Sequence, residues 1–389
     1  MIAVIADDLT GAAELGGIGL TYGLNVELAM SVNPQSTAEL LVIATDARSV
    51  SEPEAIQKMR QVSEALRAMN PELIYKKIDS VLRGHVIAET NAQLDVLGLA
   101  KALLVPANPA LGRILIDGNY YVQGQLIHRT HFSEDPEFPV TESNVLKRLA
   151  VNNVPIRVLP PTTGSLQPGI VIGEVGTQGD LRTWVSRVDE QTLPGGGAGF
   201  FTAILGARYA SKQPKSFSAK TLGPCRLYVC GSAFGHSVEL VKKASTVGDF
   251  VCYMPNTLMH AEGQESPELA NWVASIVGCF RRHEQVILAI DSASAEHTRR
   301  LAVHLRSVMA KAVKQVLNQV VVDELIIEGG STADAVLREV GVTRLVPTQE
   351  LAAGVVRSAV IEKAELRPGN LHITVKPGSY RWSPELWTF

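Results

Sequence analysis

The feature that most constrains this chain is a repeated alternation of short apolar runs with amphipathic stretches. Ile2–Ala6 is an apolar run, and Gly11–Tyr22 behind it reads as a helix. Leu40–Thr45 is a second run, followed by a helical stretch over Glu52–Met69 with Ser51 placed to cap it. Leu73–Lys76 and Lys101–Val105 are further strands, separated by the helical stretch Val86–Leu97. Apolar strands alternating with helices predict a parallel sheet covered on both faces. The rhythm breaks over Pro106–Pro168, rich in Pro, Gly, Asn and aromatic residues, which reads as long loops with a hairpin around Asn119–Gln125. It resumes at Ile170–Ile172 with a helix from about Gln178, and Gly195–Gly199 opens another helical stretch.

A chain of 389 residues with 46% hydrophobic residues suits two domains better than one core. The polar stretch Ser211–Gly223, with Pro214 inside it and Pro224 just after, is the expected linker. Beyond it Arg226–Cys230, Asp249–Tyr253, Gln285–Ile290 and Glu324–Glu328 read as strands with helices between them, Ser237–Ala244 first. The tail Asn370–Lys376 ends in the turn Pro377–Gly378. The expected fold class is therefore α/β. It has two domains, residues 1–210 and 224–389, each a mainly parallel β-sheet flanked by helices, with residues 211–223 joining them.

Composition narrows the partners. Thirty-six basic residues against 39 acidic ones, a net charge of −3, leave no surplus for a phosphate backbone, and 5% aromatic residues offer no base-stacking platform. Nucleic acid is not an expected partner. Ile2–Ala6 is too short for a signal peptide or a span, so no membrane is expected and the cytoplasm is the expected location. Cys225, Cys230, Cys252 and Cys279 form no CxxC pair and read as free thiols of a reducing compartment. His128 and His131 lack a third nearby ligand, so no metal site is expected there. The chain contains no GxxxxGK[ST], no GxGxxG after the first strand, no HExxH and no GxSxG.

Chemistry-bearing residues cluster where strands end. Asp7-Asp8-Leu9-Thr10-Gly11 stands at the passage from the first strand to its helix. That edge of an open parallel sheet is where ligands bind, and a helix start offers free N–H groups. Two carboxylates there can bind hydroxyls, accept a proton or hold a metal; one of them can equally be a plain helix cap. Asp46-Ala47-Arg48 follows the second strand, and Lys76-Lys77-Ile78-Asp79-Ser80-Val81-Leu82-Arg83-Gly84-His85 follows the third. An arginine fork grips a carboxylate or phosphate bidentately, although Asp79 and Arg83 can also simply pair with each other. Carboxylates for hydroxyls beside arginines for an anion suit a hydroxy acid. In the second half, Gly231-Ser232, Glu328-Gly329-Gly330-Ser331-Thr332 and Lys376-Pro377-Gly378-Ser379 are close-approach turns. Each can be an ordinary turn, but three together suggest a nucleotide site without a P-loop.

Together these residues resemble the four-carbon acid sugar kinase family over nearly the whole chain. The resemblance rests on Ile5–Ala12, Lys76–Gly84, Pro106–Arg113, Gly118–Val122, Asp135-Pro136, Gly329–Thr332 and Lys376–Ser379. It implies an N-terminal sugar-acid-binding domain, a C-terminal ATP-binding domain and phosphoryl transfer in the cleft between them. Known acids of the family are threonate, erythronate and their 3-oxo forms. It further implies that Asp7, Asp8, Thr10, Arg48, Lys76 and the loop Asp79, Ser80, Val81, Leu82, Arg83, Gly84 hold the acid, with Asp8 or Asp79 as the base. Ser232, Gly329, Gly330, Ser331, Thr332, Lys376, Pro377, Gly378 and Ser379 would hold ATP, with Mg²⁺ bridging its phosphates. The chain departs from the family at Val81 and His85, where Thr and Asn are usual, at Gly231–Phe234, and after Gly378. An isomerase or lyase of phosphorylated sugar acids, or a non-catalytic sugar-acid sensor, are the rival classes. The oligomeric state stays open, a homodimer included.

Overall fold

The computed structural model describes residues 1–135, 138–149, 154–209, 221–231, 235–259, 267–291, 299–363 and 371–389. The chain divides into two compact units, Met1–Ser216 and Phe217–Phe389. The expected linker lies outside the described residues, except for 221–223.

The first unit opens with β1 (Ile2–Ala6), α1 (Leu9–Thr21), β2 (Val26–Ala29), β3 (Leu40–Ala44), α2 (Glu52–Met69), β4 (Leu73–Lys77), α3 (Val86–Leu97) and β5 (Lys101–Val105). Ser51 stands at the start of α2 as expected, its N–H donating to Glu54 Oε2 at 3.0 Å, and Asn70 ends the helix in the left-handed conformation. The stretch expected as loops with a hairpin around Asn119–Gln125 carries that hairpin as β7 (Asn119–Val122) and β8 (Gln125–Leu126), joined into a small antiparallel sheet by β6 (Arg113–Ile116) before them, and then α4 (Val145–Leu149) and β9 (Ile156–Leu159). β10 (Gly169–Gly173), α5 (Gln178–Val185), β11 (Thr192–Gly196) and α6 (Ala198–Arg208) complete the unit.

The main strands are all parallel, in the order β2-β3-β1-β4-β11-β5-β10-β9. Ile5, Leu41 and Ile43 of the sheet pack against Met59 and Leu66 of α2. Chain order reverses about β1, with β3 on one side and β4 on the other, so the carboxyl ends of three neighbouring strands frame one crevice. Gly195–Gly199 was expected to open a helix. Its first two residues instead finish β11, and α6 starts at Ala198. Pro194 lacks an N–H, and only Gly195 and Gly196 pair with β4.

The second unit holds β12 (Arg226–Cys230), α7 (Gly235–Val247), β13 (Val251–Tyr253), α8 (Asn256–Met259), α9 (Pro267–Phe280), β14 (Gln285–Ala289) and α10 (Arg299–Leu317). It continues with β15 (Glu324–Glu328), α11 (Gly330–Glu339), β16 (Val342–Ala352), β17 (Val355–Lys363) and β18 (His372–Lys376). Its strand order is β13-β14-β12-β15-β18-β17-β16, with β17 antiparallel to both β16 and β18 and the other pairs parallel. The order β2-β3-β1-β4 thus recurs as β13-β14-β12-β15, and Gly231 and Gly329 stand at the second reversal. The last residues fold over this unit: Trp382 and Leu386 pack on Tyr228 and Ile287, and the Tyr228 hydroxyl donates to Leu386 O at 2.9 Å. Among the described residues no helix is long and apolar enough to cross a membrane.

Candidate active site

In the first unit the side chains at the ends of β1, β3 and β4 meet. Asp8 is the N-cap of α1: its Oδ1 accepts from Gly11 N at 2.9 Å and its Oδ2 from the Thr10 hydroxyl at 2.5 Å. Asp7 turns to Arg48, whose Nε and Nη2 approach its carboxylate at 2.8 to 3.0 Å. Arg48 Nη1 also donates to Asp8 Oδ2 at 3.2 Å and stands 3.7 Å from Asp79 Oδ1. Arg83 closes on Asp79 through Nε (2.9 Å) and Nη2 (2.8 Å), and its Nη1 reaches Asp135 at 2.6 Å.

The loop after β4 is built around Asp79. Its Oδ2 accepts from Val81 N at 3.2 Å and Arg83 N at 3.1 Å. These bonds hold Leu82 at φ +62°, a left-handed conformation that a branched residue adopts only when its surroundings impose it. Tyr120 donates to Ser80 O at 2.5 Å, Arg148 to Val81 O at 2.7 Å, and Arg113 to the Ser80 hydroxyl. Phe132 lies under both Arg83 and Arg113, 5.5 and 5.7 Å from ring centre to guanidinium.

These contacts separate the three carboxylates electrostatically. Burial pushes the Asp7 carboxyl up, to about 6; the Asp8 and Glu89 charges add to this and Arg48 opposes it. Burial acts the same way on Asp8, but Arg48, Lys77 and the bonds from Thr10 and Gly11 outweigh it and hold the group below its ordinary value. For Asp79, burial is overcome by Arg83 and Arg48, and the carboxyl lies well below the ordinary range.

Asp7, Asp8, Thr10, Arg48 and the loop Asp79–Gly84 therefore come together. Lys76 does not join them. Its side chain is fully buried on the opposite face of the sheet, with Nζ 2.7 Å from Glu89 Oε2. Val81 is fully buried and contributes backbone groups alone, and His85 faces Val50 O at 2.9 Å, so the two departures in this loop lie behind it. Asp135, Arg113, Tyr120 and Arg148 were not singled out from the sequence. Asp135, Arg113 and Tyr120 stand in stretches already quoted for the resemblance, which was the available signal; Arg148 offered none.

In the second unit the turns after β12, β15 and β18 stand side by side. Gly329 adopts φ +94°, donates its N–H to Lys376 O at 2.9 Å, and starts α11. A methyl group at Gly231 would lie 2.7 Å from the Thr332 hydroxyl, so backbone is bare where the two turns meet. Bare turns at a helix start fit phosphate groups. Lys376 is fully buried: its Nζ donates to Glu328 Oε1 at 2.7 Å and Pro377 O at 3.0 Å, and lies 4.9 Å above the Trp382 ring. The Ser237 hydroxyl donates to the same Glu328 oxygen at 2.5 Å. Tyr380 N bonds to Pro377 O at 3.1 Å, closing the turn that carries Gly378 and Ser379. Ser232 lies outside the described residues. Among the described residues no group of three His, Cys, Asp or Glu side chains is arranged to hold a metal ion.

Two family models match this chain: the sugar-binding N-terminal domain over residues 2–163 and the nucleotide-binding C-terminal domain over residues 227–380. A D-erythronate kinase of Heliobacterium modesticaldum is 31% identical over 205 residues, covering 47% of this chain and 46% of that protein. A D-threonate kinase of Salmonella typhimurium is 31% identical over 153 residues, 39% of this chain and 36% of its own length. The chain thus spans less than half of either relative. A D-threonate kinase of Cupriavidus necator is 26% identical over 418 residues, covering 99% of this chain and 96% of that protein. Two solved structures share the fold. A Haemophilus influenzae protein has TM-score 0.67 and 18% identity, covering 99% of this chain and 98% of its own. A Salmonella typhimurium protein has TM-score 0.77 and 16% identity, covering 99% and 97%.

Proposed function

We propose, from the premise that this chain belongs to the four-carbon acid sugar kinase family, that it transfers the γ-phosphoryl group of ATP to a hydroxyl of a small acid sugar. The observation that carries this reading is the convergence of Asp8, Arg48, Asp79 and Arg83 at the strand-order reversal of the first unit. Carboxylates bind hydroxyls and arginine forks bind a carboxylate, so the set matches the two kinds of group on an acid sugar.

Phosphoryl transfer through a loose transition state asks mainly for positioning and charge stabilisation. Asp8 is the group we assign to the acceptor hydroxyl. It is ionised, fixed by Thr10 and Gly11, and more open than Asp7, so it can orient the hydroxyl and take its proton. Asp79 serves differently. Both of its oxygens are engaged by Arg83, and it sets the direction of that guanidinium. Arg48 and Arg83 would face the acid's carboxylate. Gly329–Thr332 and Gly231 would hold the nucleotide, which supplies the phosphoryl group. Mg²⁺ would arrive with the phosphates and offset their charge.

The test is ADP release with D-threonate, D-erythronate and their 3-oxo forms, together with thermal shifts on ATP. Release with at least one acid supports the reading, and the preferred acid names the substrate. A folded protein that binds ATP but releases no ADP with any of them would instead be a sensor. One that shows no ATP shift at all would point to an isomerase or lyase.

A further inference from the structure

Two consecutive lysines end β4, and strand alternation sends them to opposite faces of the sheet. Lys76 enters the face covered by α2 and α3, where Glu89 and Met59 receive it. Lys77 runs to the other face, beneath the first turns of α1. Its side chain is 5% exposed; its Nζ donates to Ile78 O at 3.0 Å and stands 3.9 Å from Glu14 Oε2. Asp8 comes to the same place. A methyl group on Gly11 would lie 2.7 Å from Asp8 Oδ1 and 2.7 Å from Lys77 Nζ. A bare Cα leaves room for both groups on the two sides of this turn.

We infer that Lys77 is a positioning residue for Asp8, its ammonium fixing the carboxylate that receives the acceptor hydroxyl, with Gly11 keeping the space between them clear. This rests on the reading of Asp8 given above. The groups facing Asp8 are Asp7 beside it, Thr10, Gly11 and Glu14 from α1, Arg48 from the loop after β3, Lys77 from β4, and Asp79 across Arg48. Two of these are cations. Arg48 is divided among three carboxylates and is committed most closely to Asp7, at 2.8 Å against 3.2 and 3.7 Å for the others. Lys77 stands between Glu14, whose Oε2 is 3.9 Å from its Nζ, and Asp8, whose carboxylate lies across the Gly11 Cα from it. Its charge acts on Asp8 in the direction that keeps the carboxylate ionised.

The experiment compares wild type with Lys77→Met, Lys77→Arg and Gly11→Ala in the full chain. The Asp8 carboxyl is followed by carbon NMR titration, assigned against Asp8→Asn. In parallel, kcat and KM are measured against pH. Lys77→Met should raise the Asp8 midpoint by about one pH unit and move the acid limb of kcat/KM the same way. It should lower kcat with little change in KM for ATP. Lys77→Arg should restore much of both. Gly11→Ala, in which a methyl separates the two groups, should shift the midpoint in the same direction, and it serves if Lys77→Met does not fold. An Asp8 midpoint that stays at the wild-type value in Lys77→Met, or in Gly11→Ala where only that variant folds, overturns the inference. Absence of ADP release by the wild type would instead overturn the proposed reaction, while the titration still decides the role of Lys77.

Discussion

Arg48 grips Asp7 side-on, with Nε 3.0 Å from Oδ2 and Nη2 2.8 Å from Oδ1. That pairing divides the labour between two adjacent carboxylates. Asp7, 2% exposed, anchors the guanidinium; Asp8, 7% exposed, keeps its place at the helix start. Removing the charge of each should therefore have different consequences.

Asp8→Asn preserves shape and removes the carboxylate proposed to take the acceptor proton. We expect kcat to fall by about 10²-fold or more, while ATP still produces a thermal shift. Asp79→Asn should instead raise KM for the acid, because it loosens Arg83 and the strained turn at Leu82. Unchanged turnover in Asp8→Asn would remove Asp8 from the chemistry.

Arg83→Lys keeps a positive charge but loses the fork that spans Asp79 and Asp135. An ammonium cannot replace three directed contacts. KM for the acid should rise by about tenfold or more, with KM for ATP nearly constant, as steady-state kinetics varying each ligand would record. An equal rise for both ligands would count against an acid-binding role.

Much of this arrangement is legible in the sequence because polar residues follow apolar strands. Asp7, Asp8, Arg48, Asp79 and Arg83 all stand just past such runs, and parallel strands bring their ends to one edge. What could not be read is phase and long-range return. Lys76 and Lys77 are identical neighbours, and the face each takes depends on helices packed from elsewhere. β11 hides behind Pro194 and two glycines, which break the apolar pattern of a strand. Arg113, Tyr120 and Arg148 approach the Asp79 loop from the Pro- and Gly-rich middle, whose local pattern says loop and nothing about what it will touch.

Stability should record Asp7 as a slope against pH. Its carboxyl is raised from 3.8 to about 6, chiefly by burial, so the folded state holds a proton that the unfolded chain has already lost. Stability from this group is full below the unfolded value and declines as pH rises between about 4 and 6, by on the order of 3 kcal/mol. Asp8 and Asp79 have lowered values and act oppositely: their contribution is present above about 4 and is lost as pH falls further. Asp7→Asn should flatten the decline between pH 4 and 6 and leave the acid loss in place. Melting curves with the same slope for both proteins would show that Asp7 does not titrate in this window.

Glu328 and Lys376 face each other across neighbouring strands in the second unit, both fully buried and 2.7 Å apart. Removing one partner leaves the other charge without compensation in a dry interior. Lys376→Met and Glu328→Met should each cost about 3–5 kcal/mol in urea unfolding. The double replacement should cost clearly less than their sum, because no orphaned charge remains. The same variant decides what Lys376 does for the nucleotide. Its ammonium is spent on Glu328, Pro377 O and the Trp382 face, so we expect it to brace the Pro377–Ser379 turn from inside. Backbone groups of Gly329 and its neighbours would then make the phosphate contacts, and the double variant should retain ATP binding within a few fold. A double variant that is folded and has lost ATP binding altogether would show that the ammonium leaves Glu328 and reaches the phosphates itself.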